Sequence, residues 1–378
     1  MRVDSARLHF LQIPLRISVT HGARSARTAS DSIILALQDA SGRVGYGEAV
    51  VRDYVSGPLD APEARLLVAR LLEPFRGVET SWAQARATLS ALSCRPQELP
   101  FLCAVETALL DLACAEAGSD AYDVLGAAPL RQDVVYGGVI PIVPVAQADA
   151  WLERYMGFGF HEVKVKVGSD AAYNDAMLGV CRRRLGEDFP IRVDANASWS
   201  AETVGAHLAV CGRHRVMVVE QPLAAGAAAG AVRVLADARA RGFSFMADED
   251  VLGEPDVAAL AAAGIFDTLN LRLSKNGGLT RVLALAGAAK SRGLRYQLGC
   301  MVGETAILSA LGRIAACLLP SPLAIEGSYD DIILSDNVSA NGIGFGPGGA
   351  ASVIRGAGVG FSVDRQRLAR LSARTVDC

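Results

Sequence analysis

The chain has 378 residues, 51% of them hydrophobic and 20% charged, a composition that buries a sizeable core and excludes a disordered or fibrous protein, at a length that suits one large domain with a smaller second unit. A formal charge of −3 with both signs interspersed, and no long basic or aromatic-rich run, excludes a nucleic-acid surface and points to a small-molecule partner. The eight cysteines stand singly without zinc spacing, the start MRVDSARLHFLQIPLR has no apolar leader, and no stretch approaches the roughly 18 apolar residues of a membrane span, so a cytoplasmic protein with reduced thiols and no membrane contact is expected.

Residues 1–125 read as an α+β unit. Its strand-like SIILALQDASGRVGYGEAV has a turn at Ala40-Ser41-Gly42, and AVETALLDLACAEA is helical. From there to residue 326, short β-branched runs alternate with Ala/Leu-rich helical stretches, the pattern of βαβ units around a parallel sheet. The predicted strands are VVYGGVIPI, HEVKVKV, PIRVDAN, VMVVEQP, FSFMADE, FDTLNLRL, LRYQLGC and PLAIEG, the eight that close a β/α barrel. The Ala-rich run Leu223 to Ala240, broken by Arg233, Asp237 and Arg239, is expected as a barrel helix. Residues 327–378 form Gly- and Asp-rich turns and a tail expected to pack back on the first unit. The fold class is thus a modified (β/α) barrel with an N-terminal α+β capping domain.

In HEVKVKV, alternation places Val163, Val165 and Val167 on one face and Lys164 and Lys166 on the other. With the valines toward the helices, both lysines point into the barrel near the carboxyl end of the second strand, where barrel enzymes keep their reacting groups. The next three strands end in Asp194, Glu220 and Asp248. Each alone could cap a helix, although Glu220, followed by Gln221-Pro222, is a poor cap. Three carboxylates converging on one rim repel one another unless a cation is held between them, and a hard divalent ion such as Mg²⁺, with Mn²⁺ as an alternative, suits that donor set. After the sixth strand, Ser274-Lys275-Asn276-Gly277-Gly278 puts a third lysine at the rim, across the barrel from Lys166, before a helix that starts at the glycines.

These residues resemble the enolase superfamily, and within it the muconate-lactonizing-enzyme subgroup. The resemblance rests on KVKVG (164–168), VDANASWS (193–200), VEQPL (219–223), ADED (247–250) and LSKNGG (273–278), in order on successive strands. It implies Asp194, Glu220 and Asp248 as Mg²⁺ ligands, Lys166 and Lys275 as the acid/base pair, and Lys164 as their supporting lysine. The implied reaction removes or delivers a proton next to a carboxylate, with the metal stabilising the enolate, on a small carboxylate-bearing substrate in a homo-oligomer. No His follows His214, which favours this subgroup over the one that uses a His on the seventh strand. Substrate contacts are expected from the cap loops, with His21, Arg24, Arg52 and Tyr54, and from the strand ends, with Asn196, Cys300, Glu304 and Glu326; Cys300 reads as a packing residue, since no His adjoins it.

The family pattern is broken twice. Gly299-Cys300-Met301-Val302-Gly303-Glu304 stands where M-L-E-G is usual, and Ala324-Ile325-Glu326-Gly327 offers one carboxylate where dipeptide epimerases show D-x-D. Racemisation or epimerisation, cycloisomerisation of a muconate-type diacid, and dehydration of a hydroxy acid all use the same parts. The alternatives from other classes are a barrel that binds a metal or metabolite without turnover, and a Schiff-base aldolase using Lys166 or Lys275.

Overall fold

The computed structural model describes residues 1–19, 27–57 and 59–378. Near the N-terminus, Val3–Leu11, Ile33–Asp39 and Val44–Ala49 form an antiparallel sheet that the C-terminal strand Ser372–Asp377 extends by pairing with Val3–Leu11. The hairpin turns at the expected position. Gly42 has φ +84°, and the Asp39 carboxylate accepts from the Ser41 and Arg43 N–H groups, a short acidic side chain closing a turn on its own backbone. Helix Leu99–Ala117 lies across this sheet. A Cβ at Gly45 or Gly47 would stand 2.2 Å from the Ala108 carbonyl oxygen or 1.9 Å from that of Ala104, so these glycines admit the helix backbone.

The barrel sheet runs, in parallel, through Gly138–Ile140, Val163–Lys166, Ile191–Asp194, Val218–Glu220, Ser244–Ala247, Thr268–Arg272 and Arg295–Gly299. The eighth position is a few bonded residues rather than an extended strand. Ile325 bridges Leu298, the Glu326 N–H donates to the Leu298 carbonyl at 2.8 Å, and the Gly137 N–H donates to that of Ile325 at 3.0 Å, which closes the ring. Positive φ at Ser321 and Gly327 turns the chain out of the extended form on either side.

Two other expectations are corrected. VVYGGVIPI splits into Asp133–Val135, which pairs with Ala350–Ser352, and the first barrel strand; between them lie Tyr136 and Gly137, and the barrel strand starts at Gly138, where a Cβ would meet the Tyr155 ring at 2.7 Å. The Ala-rich run is helical only over Val232–Ala240, after a 3₁₀ segment Ala227–Ala231 that starts at Gly226 with φ +76°. One apolar cluster continues from the cap strands through the barrel. Among the described residues no helix is long and apolar enough to cross a membrane.

Candidate active site

The strand register sets the site. Parallel pairing places Lys166 beside Asp194 and Asp194 beside Glu220, and Asp248 follows the next strand. Lys275 sits in a short helical turn, Leu273–Asn276, ahead of the helix that begins at Leu279 directly after its N-cap Gly278, as the glycines suggested. The cap holds that turn: the Val50 N–H donates to Ser274 Oγ at 2.9 Å, and Ser274 donates back to the Val50 carbonyl. Strain gathers at the strand ends, with φ +45° at Asn196, +58° at Ala197 and +34° at Gln221. Gln221 Oε1 accepts the Asp248 N–H at 2.8 Å, so its conformation fixes where that carboxylate starts.

Every charged group here is buried against an opposite one. Lys164 Nζ donates to Glu326 at 2.7 Å and Glu220 at 3.0 Å and lies 3.7 Å from Asp194. Burial opposes its charge, but Glu220, Glu326 and Asp194 outweigh burial and hold the ammonium above the ordinary lysine range. Lys166 donates to Asn196 Oδ1 at 2.7 Å and lies 3.5 Å from Asp194. Lys275 donates to the Asp248 carbonyl, Asp248 Oδ1 and the Asn270 carbonyl at 2.6, 2.8 and 2.8 Å. Burial draws its pKa below the usual lysine value, against the pull of Asp248.

Burial also pushes Glu220 up to about 7; Lys164 pulls the other way, and Asp194, Glu326 and Asp248 add to the rise. The Arg272 guanidinium donates to Asp248 and to Glu220 at 3.4 Å. Among the described residues no three acidic, His or Cys side chains already converge as a metal cage; the carboxylates are interleaved with cations. Their chemistry nevertheless suits a divalent ion: buried oxygen donors on neighbouring strand ends, crowded enough that one is held near neutral form.

One pocket opens on this cluster. Lys164, Lys166 and Arg272 line it, as do Cys300, Glu304 and Glu326; Lys275, 1% exposed against 7% for Lys166, lies behind the wall. Glu326 is tied to Lys164 and, at 3.3 Å, to Arg192, and burial of its carboxyl is outweighed by these two cations. Burial pushes Glu304 up to about 8 and raises the Cys300 thiol well above its usual range, so neither is charged at neutral pH. Asn196 donates to Asp194 Oδ2 at 2.9 Å and accepts from Lys166, spanning those two groups away from the pocket wall.

Arg52 is buried and donates to Asp31 and the Val302 carbonyl, bracing the cap against the loop after the seventh strand. His21 and Arg24, and the side chain of Tyr54, lie outside the described residues. Sequence reasoning missed Arg272. The signal was present: in TLNLR, Thr268, Asn270 and Arg272 alternate with leucines as the lysines of HEVKVKV do with valines.

A family model described as "Enolase C-terminal domain-like" matches residues 145–367. The hydrophobic dipeptide epimerase of Roseobacter litoralis is 28% identical over 81% of this chain and 84% of its own. Among solved structures, a dipeptide epimerase from Cytophaga hutchinsonii complexed with Mg and D-Ala-L-Val has a TM-score of 0.85 at 21% identity, covering all of both chains. The muconate lactonizing enzyme of Pseudomonas putida also superposes with a TM-score of 0.85, at 22% identity over 98% of this chain and 100% of that one. The chain belongs to the enolase superfamily, in its muconate-lactonizing-enzyme subgroup, and is an isomerase.

Proposed function

We propose that Asp194, Glu220 and Asp248 hold Mg²⁺ and that Lys166 and Lys275 exchange a proton at the carbon next to a substrate carboxylate, racemising or epimerising that centre. The observation that carries this reading is the arrangement of two buried lysines on the second strand and after the sixth, with three carboxylates on the strands between them. The cation, when bound, offsets the charge that develops on the carboxylate oxygens as the proton leaves.

The chain's own residues do the rest. Lys166 reaches the pocket directly and is aimed by Asn196. Lys275 reaches substrate by giving up one of its bonds to Asp248 or Asn270. Arg272, on the pocket wall, pairs with Glu220 and Asp248, and would turn toward the substrate anion if those carboxylates held the metal. Lys164 neutralises Glu220 and Glu326 whether or not substrate is present.

The test is solvent deuterium exchange at the α-carbon, with added Mg²⁺, across N-acyl amino acids, dipeptides, diacids and hydroxy acids. Exchange with inversion in any of the first two classes supports the reading. Absence of exchange throughout, with metal shown to be bound, overturns it.

A further inference from the structure

The two proposed bases are held in different ways. Lys166 ends a barrel strand: Val165 pairs with Ile140 on one side and Val193 on the other, and just beyond Lys166 the Val167 N–H donates to the Asp194 carbonyl at 2.9 Å. Neighbouring barrel strands fix that backbone. Lys275 lies past the end of its strand, in the four-residue helical turn Leu273–Asn276, and a single turn is too short to hold itself.

Support for that turn comes from two directions. On the barrel side, the Asn276 side chain donates to the Val251 carbonyl at 3.0 Å and accepts the Arg272 N–H at 2.8 Å. On the other side stands the cap. Beyond the two bonds between Ser274 and Val50, Leu99, Cys103 and Glu106 from one face of helix Leu99–Ala117 lie against Gly277 and Gly278. A Cβ at Gly278, where φ is +106°, would stand 2.1 Å from Glu106 Oε2 and 3.4 Å from Cys103 Cα.

The glycine makes room for the carboxylate, and the carboxylate does what a glycine cannot. Helix Leu279–Ser291 starts from Gly278 with no side-chain cap of its own. The buried Glu106 reaches in from the cap domain, and its Oε1 accepts the Thr280 N–H at 3.0 Å, the donor at the second helical position that an N-cap side chain ordinarily satisfies. The Gly278 N–H in turn donates to the Leu273 carbonyl at 2.9 Å, so the start of this helix and the Lys275 turn are tied into one piece.

We infer that Glu106 is a positioning residue for Lys275: from the cap it clamps the start of helix Leu279–Ser291, and with it the turn that aims the Lys275 ammonium, while Lys166 is positioned without it. The inference rests on the two-lysine reading above. Its consequence is one-sided. Loosening the clamp displaces one base of the pair, and a misplacement of about 1 Å costs on the order of 10²-fold in rate.

With full-length protein and Mg²⁺, α-deuterium exchange is followed separately from N-acetyl-L- and N-acetyl-D-phenylalanine and from L-alanyl-L- and L-alanyl-D-phenylalanine, and Lys275→Ala marks the isomer whose exchange depends on Lys275. For that isomer Glu106→Ala should lower kcat at least about tenfold with KM little changed, and exchange from the other isomer should stay within about threefold of the parent. Glu106→Gln keeps an acceptor for the Thr280 N–H and should restore most of the lost exchange. Ser274→Ala, which opens the other tie between cap and turn, should show its loss on the same side, and it decides the matter if Glu106→Ala does not fold. Equal loss from both isomers, or loss from neither, overturns the inference and leaves the two-lysine reading intact. Exchange from no N-acyl amino acid and no dipeptide by the parent protein removes that reading and this inference with it.

Discussion

Lys275 Nζ lies 2.8 Å from Asp248 Oδ1 and 2.6 Å from the main-chain carbonyl of the same residue. Lys166 stands in a looser version of that relation to Asp194, at 3.5 Å, with Asn196 between them. Each proposed base therefore leans on a different proposed metal ligand, and the metal and the proton-transfer groups are one electrostatic unit. A change at a ligand is felt by the lysine beside it.

The metal is the first test. Rigorous chelation should abolish α-proton exchange and added Mg²⁺ should restore it. Independently of activity, Mg²⁺ should raise the melting temperature of the protein, because a ligand that binds only the folded state stabilises it. Glu220→Gln should fold, and should show a much smaller shift with Mg²⁺. A shift in Glu220→Gln as large as in the parent protein would remove Glu220 from the metal site.

Lys164 is shared by Asp194, Glu220 and Glu326. Lys164→Met leaves those buried carboxylates short of a partner, and stripping one member from a buried ion pair costs about 3–5 kcal/mol. Urea unfolding at neutral pH should show a loss of that order. Lowering the pH toward 5 should recover part of it, as the carboxylates left without Lys164 take up protons. A loss that does not change with pH would mean that Lys164 acts by packing alone.

Glu304 gives a pH dependence with a definite sign. Burial holds its carboxyl in the neutral form up to about pH 8; above that, a negative charge develops on the pocket wall. KM for an anionic substrate should rise as pH passes through 8, with kcat changing less. Glu304→Gln should remove that rise, and a rise that persists in Glu304→Gln would place the titrating group elsewhere.

Much of this site is legible in the chain, for a simple reason. Side chains alternate along a strand, so Lys164 and Lys166 declare a shared face, and acids at the ends of successive strands declare a shared rim. Such signals are local. Arg272 carried the same local signal, but its meaning depends on reaching across to Glu220 and Asp248 from another strand. The aromatic side of the pocket is legible only in part: Trp151, Tyr155 and Phe158 recur at helical spacing, but Tyr329 joins them from a distant segment. The eighth barrel position escaped for a different cause: PLAIEG has strand composition, and only the positive φ at its flanks shortens it. The engagement of Asn196 and Glu326 by neighbouring charges depends likewise on partners distant in sequence.

The most direct test of the two-lysine account is the enantiomer dependence of α-proton exchange in single variants, followed in deuterium oxide with Mg²⁺ present and each substrate enantiomer supplied separately. Lys166→Ala should lose exchange from one enantiomer while keeping part of it from the other, and Lys275→Ala should show the reverse. Each loss should be on the order of 10² to 10⁴, the usual contribution of a positioned acid or base. Near-parent exchange from both enantiomers in both variants would contradict the account, because no histidine follows His214 to take over the proton.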